Sequence, residues 1–155
     1  MSNEETLAAA LRDMADPDPK VRAQATGLLD HLATEACVGP LTQALSDPSA
    51  HVRRLAVHSL GCQDCKVAPL EVDIVGLLVD RALHDSSIRV RRVTVHQLGL
   101  QPHDPRAVAA LERILERESD EKLRSRAAFA LNRQDGDRPA LERFAPPPRA
   151  SSVQD

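Results

Sequence analysis

The sequence predicts an all-α fold, an α-α superhelix built from about four helical hairpins. One sequence motif occurs four times: segments 47–61 and 85–99 match almost residue for residue, and shorter copies lie at 16–25 and 119–128. Successive copies, aligned on a shared apolar residue, are 31, 38 and 33 residues apart, which is the period of a helical repeat array. Aromatic residues make up 1% of the chain and hydrophobic residues 42%, so the core consists of Ala, Leu and Val, which suits closely packed helices.

Apolar residues at helical spacing place two helices in each unit, and the units span about 4–34, 37–61, 71–100 and 105–133. Between the helices of a unit stands an Asp or Asp-Pro pair, which ends one helix and caps the next. An insertion, 62–70, lengthens the second period to 38 residues. Gly61 is predicted to be a helix C-cap. Residues 1–133 are therefore predicted to form the solenoid, and 134–155 a short capping helix and a flexible Pro-rich tail.

The second helix of each unit is predicted to have a buried face and an exposed face. Counted from the anchors Val21, Val52, Val90 and Leu123, positions 0, +4 and +8 point into the core, whereas +2 and +6 lie on the far side. Because consecutive second helices stack side by side, the far positions of two neighbours form one basic patch. This patch is the predicted partner-binding site, and its members are Arg54, His58, Arg92 and His96.

The charge distribution points to an anionic partner. Segments 48–61, 86–100 and 120–133 carry +2, +3 and +2, whereas 1–15 and 71–84 carry -2 each. A protein or peptide, especially an acidic one, is the predicted partner. The alternative interpretation is that these Arg and His side chains only solvate an exposed face.

The pattern Asp-Pro-x-x-x-Val-Arg-x-x-Ala-x-x-x-Leu-Gly resembles the HEAT-like repeat, particularly the short bacterial form found in phycobilisome lyases, over roughly residues 4–133. The resemblance implies a curved right-handed solenoid whose second helices line the concave side. It also implies that the turn aspartate and the arginine after the valine form a hydrogen-bonded ladder between neighbouring repeats, and Glu118 takes the aspartate's place in the fourth copy. The implied ladder residues are Asp16, Asp47 and Asp85, with Arg22, Arg53, Arg91 and Arg124.

The HEAT-like family also includes enzymes. A resemblance to deoxyhypusine hydroxylase would imply a di-iron centre held by His-Glu pairs, but none of the six histidines is followed by Glu. A bilin lyase of the same repeat type is disfavoured because the chain is short and shows no distinctive chemistry of its own. No nucleophile elbow or phosphate-binding glycine loop occurs. The chain is therefore predicted not to be an enzyme.

A cysteine cluster offers a second candidate site. His58 and Cys62 are four residues apart on one helix and hence share a face, and Cys65 follows in the insertion. Together they could hold zinc, with Cys37, His31 or His96 as the fourth ligand, or act as a redox pair. The alternative is that Cys62 packs on the core and Cys65 is buried beneath the insertion.

The sequence thus predicts a non-catalytic scaffold without a cofactor, with zinc binding, redox activity or nucleic-acid binding as alternatives. A net charge of -3 and the lack of aromatic stacking platforms argue against nucleic acid. The acidic N-terminus, the absence of an apolar stretch of bilayer length and the odd number of cysteines predict a cytoplasmic, membrane-free protein with reduced thiols. We expect a monomer.

Overall fold

The structure is a computed structural model that describes residues 2–66 and 68–136. In these ranges it contains eight helices and no strands, and none of the helices combines the length and apolar composition needed to cross a bilayer. The helices form four consecutive hairpins, which confirms the predicted all-α solenoid. The predicted capping helix at 140–144 and the Pro-rich tail lie outside the described residues. The helices are α1 (Asn3–Asp13), α2 (Pro19–Leu32), α3 (Glu35–Ala44), α4 (Ala50–Gly61), α5 (Ile74–His84), α6 (Ile88–Leu100), α7 (Pro105–Arg117) and α8 (Glu121–Asp135).

Aspartate followed by proline begins two of these helices. Asp18 accepts a hydrogen bond from the backbone N–H of Lys20 at 2.8 Å, and Pro19 is the first helical residue. Asp104 bonds the N–H of Arg106 in the same way, also at 2.8 Å, with Pro105 first in α7. The aspartate satisfies a helix N–H that lacks an intrahelical acceptor, while proline has no N–H to satisfy.

The second helices α2, α4, α6 and α8 pack each against the next and form one continuous layer. Their buried residues, with exposures of 3% or less, include Ala25, Leu29, Val52, Ala56, Leu60, Val90, Leu98, Leu123, Ala127 and Leu131. Most of them stand at the core positions that the helical period predicts.

Two residues of α2 depart from the predicted faces. Ala23, expected on the far side, is 3% exposed. Leu28, one of the apolar residues whose helical spacing predicts α2, is 53% exposed. The residue of α6 at the repeat position equivalent to Leu28 is Gln97, and it lies against Gly61 of the preceding second helix. Since α2 is the first second helix of the described array, nothing there covers Leu28.

The glycine of the Leu-Gly pair allows neighbouring second helices to approach closely. Gly61 lies inside α4, whose C-cap is Cys62, so the predicted C-cap role was wrong. A Cβ atom on Gly61 would lie 2.9 Å from the Cβ of Gln97, and one on Gly99 would lie 2.9 Å from the Cα of Ala130. Contacts this short are possible only without a side chain, so each glycine sets the distance between two helices.

Arginine–carboxylate pairs connect the turns of consecutive units. Arg22 donates to both carboxylate oxygens of Asp47, at 2.7 and 3.0 Å. Arg53 binds Asp85 in the same two-bond manner, with both distances 2.9 Å. Each of these arginines also donates to two carbonyls of its own turn. One side chain therefore fixes its own turn and the next one together.

The third pair and the two ends of the series differ. Arg91 reaches Glu118 through a single contact of 2.5 Å. The carboxylate of Asp16 accepts from the backbone N–H of Asp18 at 2.8 Å, and it has no preceding arginine in the described part of the chain. The side chain of Arg124 is exposed, with no ion pair inside 2–66 or 68–136.

A second series, of glutamines, caps the C-terminal ends of the second helices. Gln101 donates to the carbonyl of Gly61 at 2.8 Å, and Gln134 donates to the carbonyl of Leu98 at 2.8 Å. Gln63, which has the same register one unit earlier, donates instead to the side chain of Gln101 at 2.9 Å. The bonds to Gly61 and Leu98 each cap a carbonyl in the last turn of a second helix.

Candidate functional site

Four potential metal ligands converge where α2, α4 and the insertion meet. Cys62 follows the last turn of α4 and donates its N–H to the carbonyl of His58 at 2.8 Å. The chain then turns back, so that the sulfur atoms of Cys62 and Cys65 are 2.7 Å apart. Across the helix boundary, Nε2 of His58 is 3.2 Å from Oδ2 of Asp30. One ligand atom from each of Asp30, His58, Cys62 and Cys65, together called the four-ligand cluster, lies within 4.8 Å of the others.

The cluster combines buried acidic groups with an adjacent ammonium. Asp30 is 7% exposed, and its Oδ1 has no hydrogen-bond partner within the described residues. A hydrogen bond with Cys62, burial and the nearby carboxylate of Asp30 raise the pKa of the Cys65 thiol to about 12. The ammonium of Lys66 donates to the carbonyl of Cys62, and burial lowers its pKa although Asp30 and both cysteines oppose that shift. The cluster thus holds one carboxylate, two thiols and one imidazole beside one ammonium.

The fourth ligand is not one that the sequence predicted. Cys37 is fully buried at the start of α3, where its sulfur accepts from the N–H of Thr34 at 3.5 Å. His96 contributes to a different site, and His31 has a side chain that is 76% exposed, with Nε2 3.8 Å from Asp30. None of the three belongs to the four-ligand cluster.

The residue that sequence reasoning missed is Asp30, and the repeat alignment contains a signal for it. In the register nine residues after the anchor, α4 and α6 carry Gly61 and Gly99, and α8 carries Asn132. In α2 the same register holds Asp30. Asp30 is therefore an acidic residue at a position where two equivalent helices have glycine. It faces the next helix and is buried there, and burial of an acidic side chain indicates a specific role.

Two of the four residues of the predicted basic patch have acidic partners within the described part of the protein. Arg54 is exposed and contacts Nδ1 of His51 at 3.0 Å, and His96 is exposed as well. Arg92 instead pairs with Asp120, the N-cap of α8, at 2.6 Å, and His58 belongs to the four-ligand cluster. Arg92 thus reaches forward to the start of the next second helix.

A pocket of about 340 Å³ lies beside this patch, between α6 and α8. The ring of Phe129 is 60% exposed there, and neither Arg126 nor Arg133 forms an ion pair with any described residue. Partial burial lowers the pKa of His96, and the positive charges of Arg126, Arg133 and His58 lower it further. The pocket is thus an apolar surface in a positive electrostatic field. It is lined by His96, Ser125, Arg126, Phe129, Ala130 and Arg133.

Comparison with known proteins assigns the repeat. Residues 4–69 match the family model of HEAT repeats. This segment belongs to the HEAT-repeat family. No curated protein matches the sequence. Among the solved structures, the complex of CpcE and CpcF of phycocyanin lyase from Nostoc sp. PCC7120 contains a chain with a similar fold, with a TM-score of 0.57 and 18% identity over 92% of this chain and 85% of that one.

The structural similarity corrects one prediction. The chain was predicted not to be an enzyme, and this prediction was wrong as an inference from its architecture and short length, because a chain of similar fold belongs to phycocyanin lyase. At 18% identity the similarity shows the fold and does not transfer the lyase reaction.

Proposed function

We propose that this HEAT array is a scaffold that binds an acidic segment of a protein or peptide through its second-helix face. By second-helix face we mean the surface of α4, α6 and α8 that carries Arg54, His96, Arg126, Phe129 and Arg133. The pocket around Phe129 is the observation that carries the proposal, since it places exposed apolar surface beside cations that have no partner in the described part of the chain.

The pocket suits a side chain followed by carboxylates. A volume of about 340 Å³ is at the lower end of the range for small-ligand sites, so it fits one or two side chains rather than a folded surface. An apolar side chain of the partner packs on Phe129 and removes its ring from water. Neighbouring Asp or Glu residues of the partner pair with Arg126 and Arg133, which is the arrangement of aromatic and arginine residues typical of interface hot spots.

The four residues chosen from the sequence divide between two roles in this proposal. Arg54 and His96 remain part of the second-helix face. Arg92 holds the N-terminus of α8 through Asp120, and His58 faces Asp30, so neither is free to bind a partner without giving up an internal contact. The binding surface is accordingly centred about one helix further along the array, on α6 and α8.

One further observation supports a protein partner, and another supports a cytoplasmic compartment. The similar fold in phycocyanin lyase occurs in a complex of two chains, CpcE and CpcF. The three cysteines are free, in keeping with the reducing cytoplasm that we propose as its compartment.

The proposal is tested with fluorescent peptides selected from a display library in which one Leu or Phe is flanked by Asp and Glu. We expect the double substitution Arg126→Glu with Arg133→Glu, and separately Phe129→Ala, to weaken binding at least about tenfold. Increasing salt should weaken binding to the unmodified protein, since the cations are exposed. Arg113→Glu with Arg117→Glu, which makes the same charge change at two exposed positions of α7, is the matched control and should bind normally.

Two results would reject the proposal. In one, peptides bind equally well after the double charge reversal. In the other, Arg113→Glu with Arg117→Glu weakens binding as much as Arg126→Glu with Arg133→Glu, which would show that only net charge matters.

A further inference from the structure

We propose that Asp30, His58, Cys62 and Cys65 bind one Zn²⁺ ion that joins the insertion to helices α2 and α4. This site is separate from the pocket on the second-helix face and does not depend on the partner-binding proposal.

The donor set suits zinc in both number and type. Zinc in structural sites takes four ligands in a tetrahedron, drawn from cysteine sulfur, histidine nitrogen and carboxylate oxygen. The cluster offers two sulfurs, one nitrogen and one oxygen, all within 4.8 Å of one another. Calcium and magnesium select oxygen ligands, so the two sulfurs exclude them as the preferred ion.

The distances between ligand atoms are near those of a filled site. With Zn–N and Zn–O bonds of about 2.05 Å, tetrahedral ligands stand about 3.3 Å apart. Nε2 of His58 and Oδ2 of Asp30 are 3.2 Å apart, so both could contact one ion as they stand. Two sulfurs on one zinc stand about 3.8 Å apart. The 2.7 Å between Cys62 and Cys65 must therefore open by about 1 Å, which rotation of the Cys65 side chain in the loop can supply.

Two buried atoms without hydrogen bonds also point to a ligand here. Described residues with such orphaned side-chain atoms include Asp30, at Oδ1, and Gln97, at Oε1. Gln97 lies behind His58, with its Nε2 3.2 Å from Nδ1 of the imidazole. When Nε2 of His58 binds zinc, Nδ1 carries a proton and needs an acceptor, which Oε1 of Gln97 provides after a turn of its amide. A bound ion thus gives Oε1 of Gln97 a partner, and through Oδ2 it compensates the buried carboxylate of Asp30, whose Oδ1 has none.

Lys66 balances the charge of the filled site. On binding, Zn²⁺ displaces the thiol protons of Cys62 and Cys65 into solvent, so two thiolates, one carboxylate and neutral His58 leave a charge of minus one. The ammonium of Lys66 is held next to these groups by its hydrogen bond to the carbonyl of Cys62. The ion and the five side chains together are then neutral.

The position of the site explains why the insertion carries two cysteines. Asp30 belongs to the first unit, His58 to the second, and Cys65 to the insertion before the third. Zinc would connect all three, at the interface where an aspartate replaces the close-packing glycine of the later units. The ion therefore takes the place of a direct helix contact.

The principal competing chemistry is a disulfide between Cys62 and Cys65, in which an external thiol oxidant such as a low-molecular-weight disulfide removes two electrons and two protons. The two chemistries are distinguished on the full chain, purified under reducing conditions without chelator. We expect one equivalent of zinc by elemental analysis, and protection of Cys62 and Cys65 from alkylation until a chelator is added. Replacement of zinc by Co²⁺ should give the strong visible absorption of tetrahedral cobalt and near-ultraviolet sulfur-to-cobalt charge-transfer bands.

Variants test two of the four ligands, each with its own signature. Cys65→Ser should keep roughly half of the charge-transfer intensity, because one of two thiolates remains. Asp30→Asn should keep that intensity but raise the zinc dissociation constant at least about tenfold. His51→Ala, on an exposed turn of the same helix as His58, is the matched control and should bind zinc within about twofold of the unmodified chain.

Any of three results overturns the proposal: less than a tenth of an equivalent of zinc in the unmodified chain together with failure to bind added Co²⁺; a chain two hydrogens lighter with Cys62 joined to Cys65 under the same reducing conditions; or equal zinc affinity in Asp30→Asn and in His51→Ala. The first two are measured on the unmodified chain, so they remain decisive if a variant fails to fold.

Discussion

The sharpest stability prediction concerns the buried pair of Arg53 and Asp85. Their side chains are 10% and 0% exposed, and two hydrogen bonds of 2.9 Å join them. In Arg53→Ala, Asp85 keeps only the N–H of Ser87, at 2.8 Å, and a distant contact with Arg81, at 3.7 Å. The substitution therefore leaves a buried carboxylate largely without compensation.

The magnitude follows from the two kinds of contact that are lost. Removing one partner of a buried ion pair costs about 3–5 kcal/mol, and the remaining Arg81 places this case near the lower value. The two carbonyls of Asp47 and Pro48 that Arg53 caps add about 1 kcal/mol. The free energy of unfolding should fall by about 4 kcal/mol, which lowers Tm by about 10 °C for a chain of this size.

The assay is urea denaturation followed by circular dichroism, with calorimetry to establish that the array unfolds in one transition. Arg54→Ala is the control at the neighbouring, exposed position and should change stability by no more than about 0.5 kcal/mol. In a double-mutant cycle, Arg53→Ala with Asp85→Ala should be less destabilising than the sum of the single changes by at least about 1 kcal/mol. A loss below about 1 kcal/mol for Arg53→Ala, or strict additivity in the cycle, would refute the assigned role.

Three further predictions concern packing, acid and capping. Gly99→Ala should destabilise by about 1–3 kcal/mol by forcing α6 from Ala130, whereas Gly27→Ala, which meets nothing within 4 Å, should stabilise by about 0.5–1 kcal/mol; denaturant midpoints measure both. The hydrogen bond from Arg22 lowers the pKa of Asp47, so the pair stabilises the folded state fully above about pH 4, and this stabilisation is lost as pH falls through the lowered pKa. The free energy of unfolding below about pH 4 should therefore vary less with pH in Arg22→Ala. Gln134→Ala should cost about 1–3 kcal/mol by leaving the carbonyl of Gln101 unbonded and that of Leu98 with only the backbone N–H of Gln101, with faster amide exchange at the end of α6 as the local measure and an unchanged exchange rate there as the contrary result.

The helices could be predicted because their signals are local and repeated. A capping residue and an apolar period of helical spacing occur together in each unit, so a pattern as weak as that around Leu123 is strengthened by three better copies. The same averaging caused errors at the edge of the array. Leu28 matches the apolar pattern of its helix, but burial at that register requires a preceding second helix.

The candidate sites could be predicted only in part, because side-chain reach is not periodic. The period places Arg54 and Arg92 at equivalent positions, yet only Arg92 finds a carboxylate on the next helix, Asp120. Spacing brought His58, Cys62 and Cys65 together along the chain. It could not supply Asp30, since the contact between Asp30 and His58 depends on how closely α2 and α4 pack.

The arginine pairs and glutamine caps also bear on how the chain folds during synthesis. The pairs join residues 25, 32 and 27 positions apart, and the glutamine contact to the carbonyl of Gly61 spans 40. Such short separations mean that each hairpin can settle on the one before it soon after leaving the ribosome, without waiting for the C-terminus. The growing chain should therefore become resistant to protease in steps, each one about the length of a single repeat.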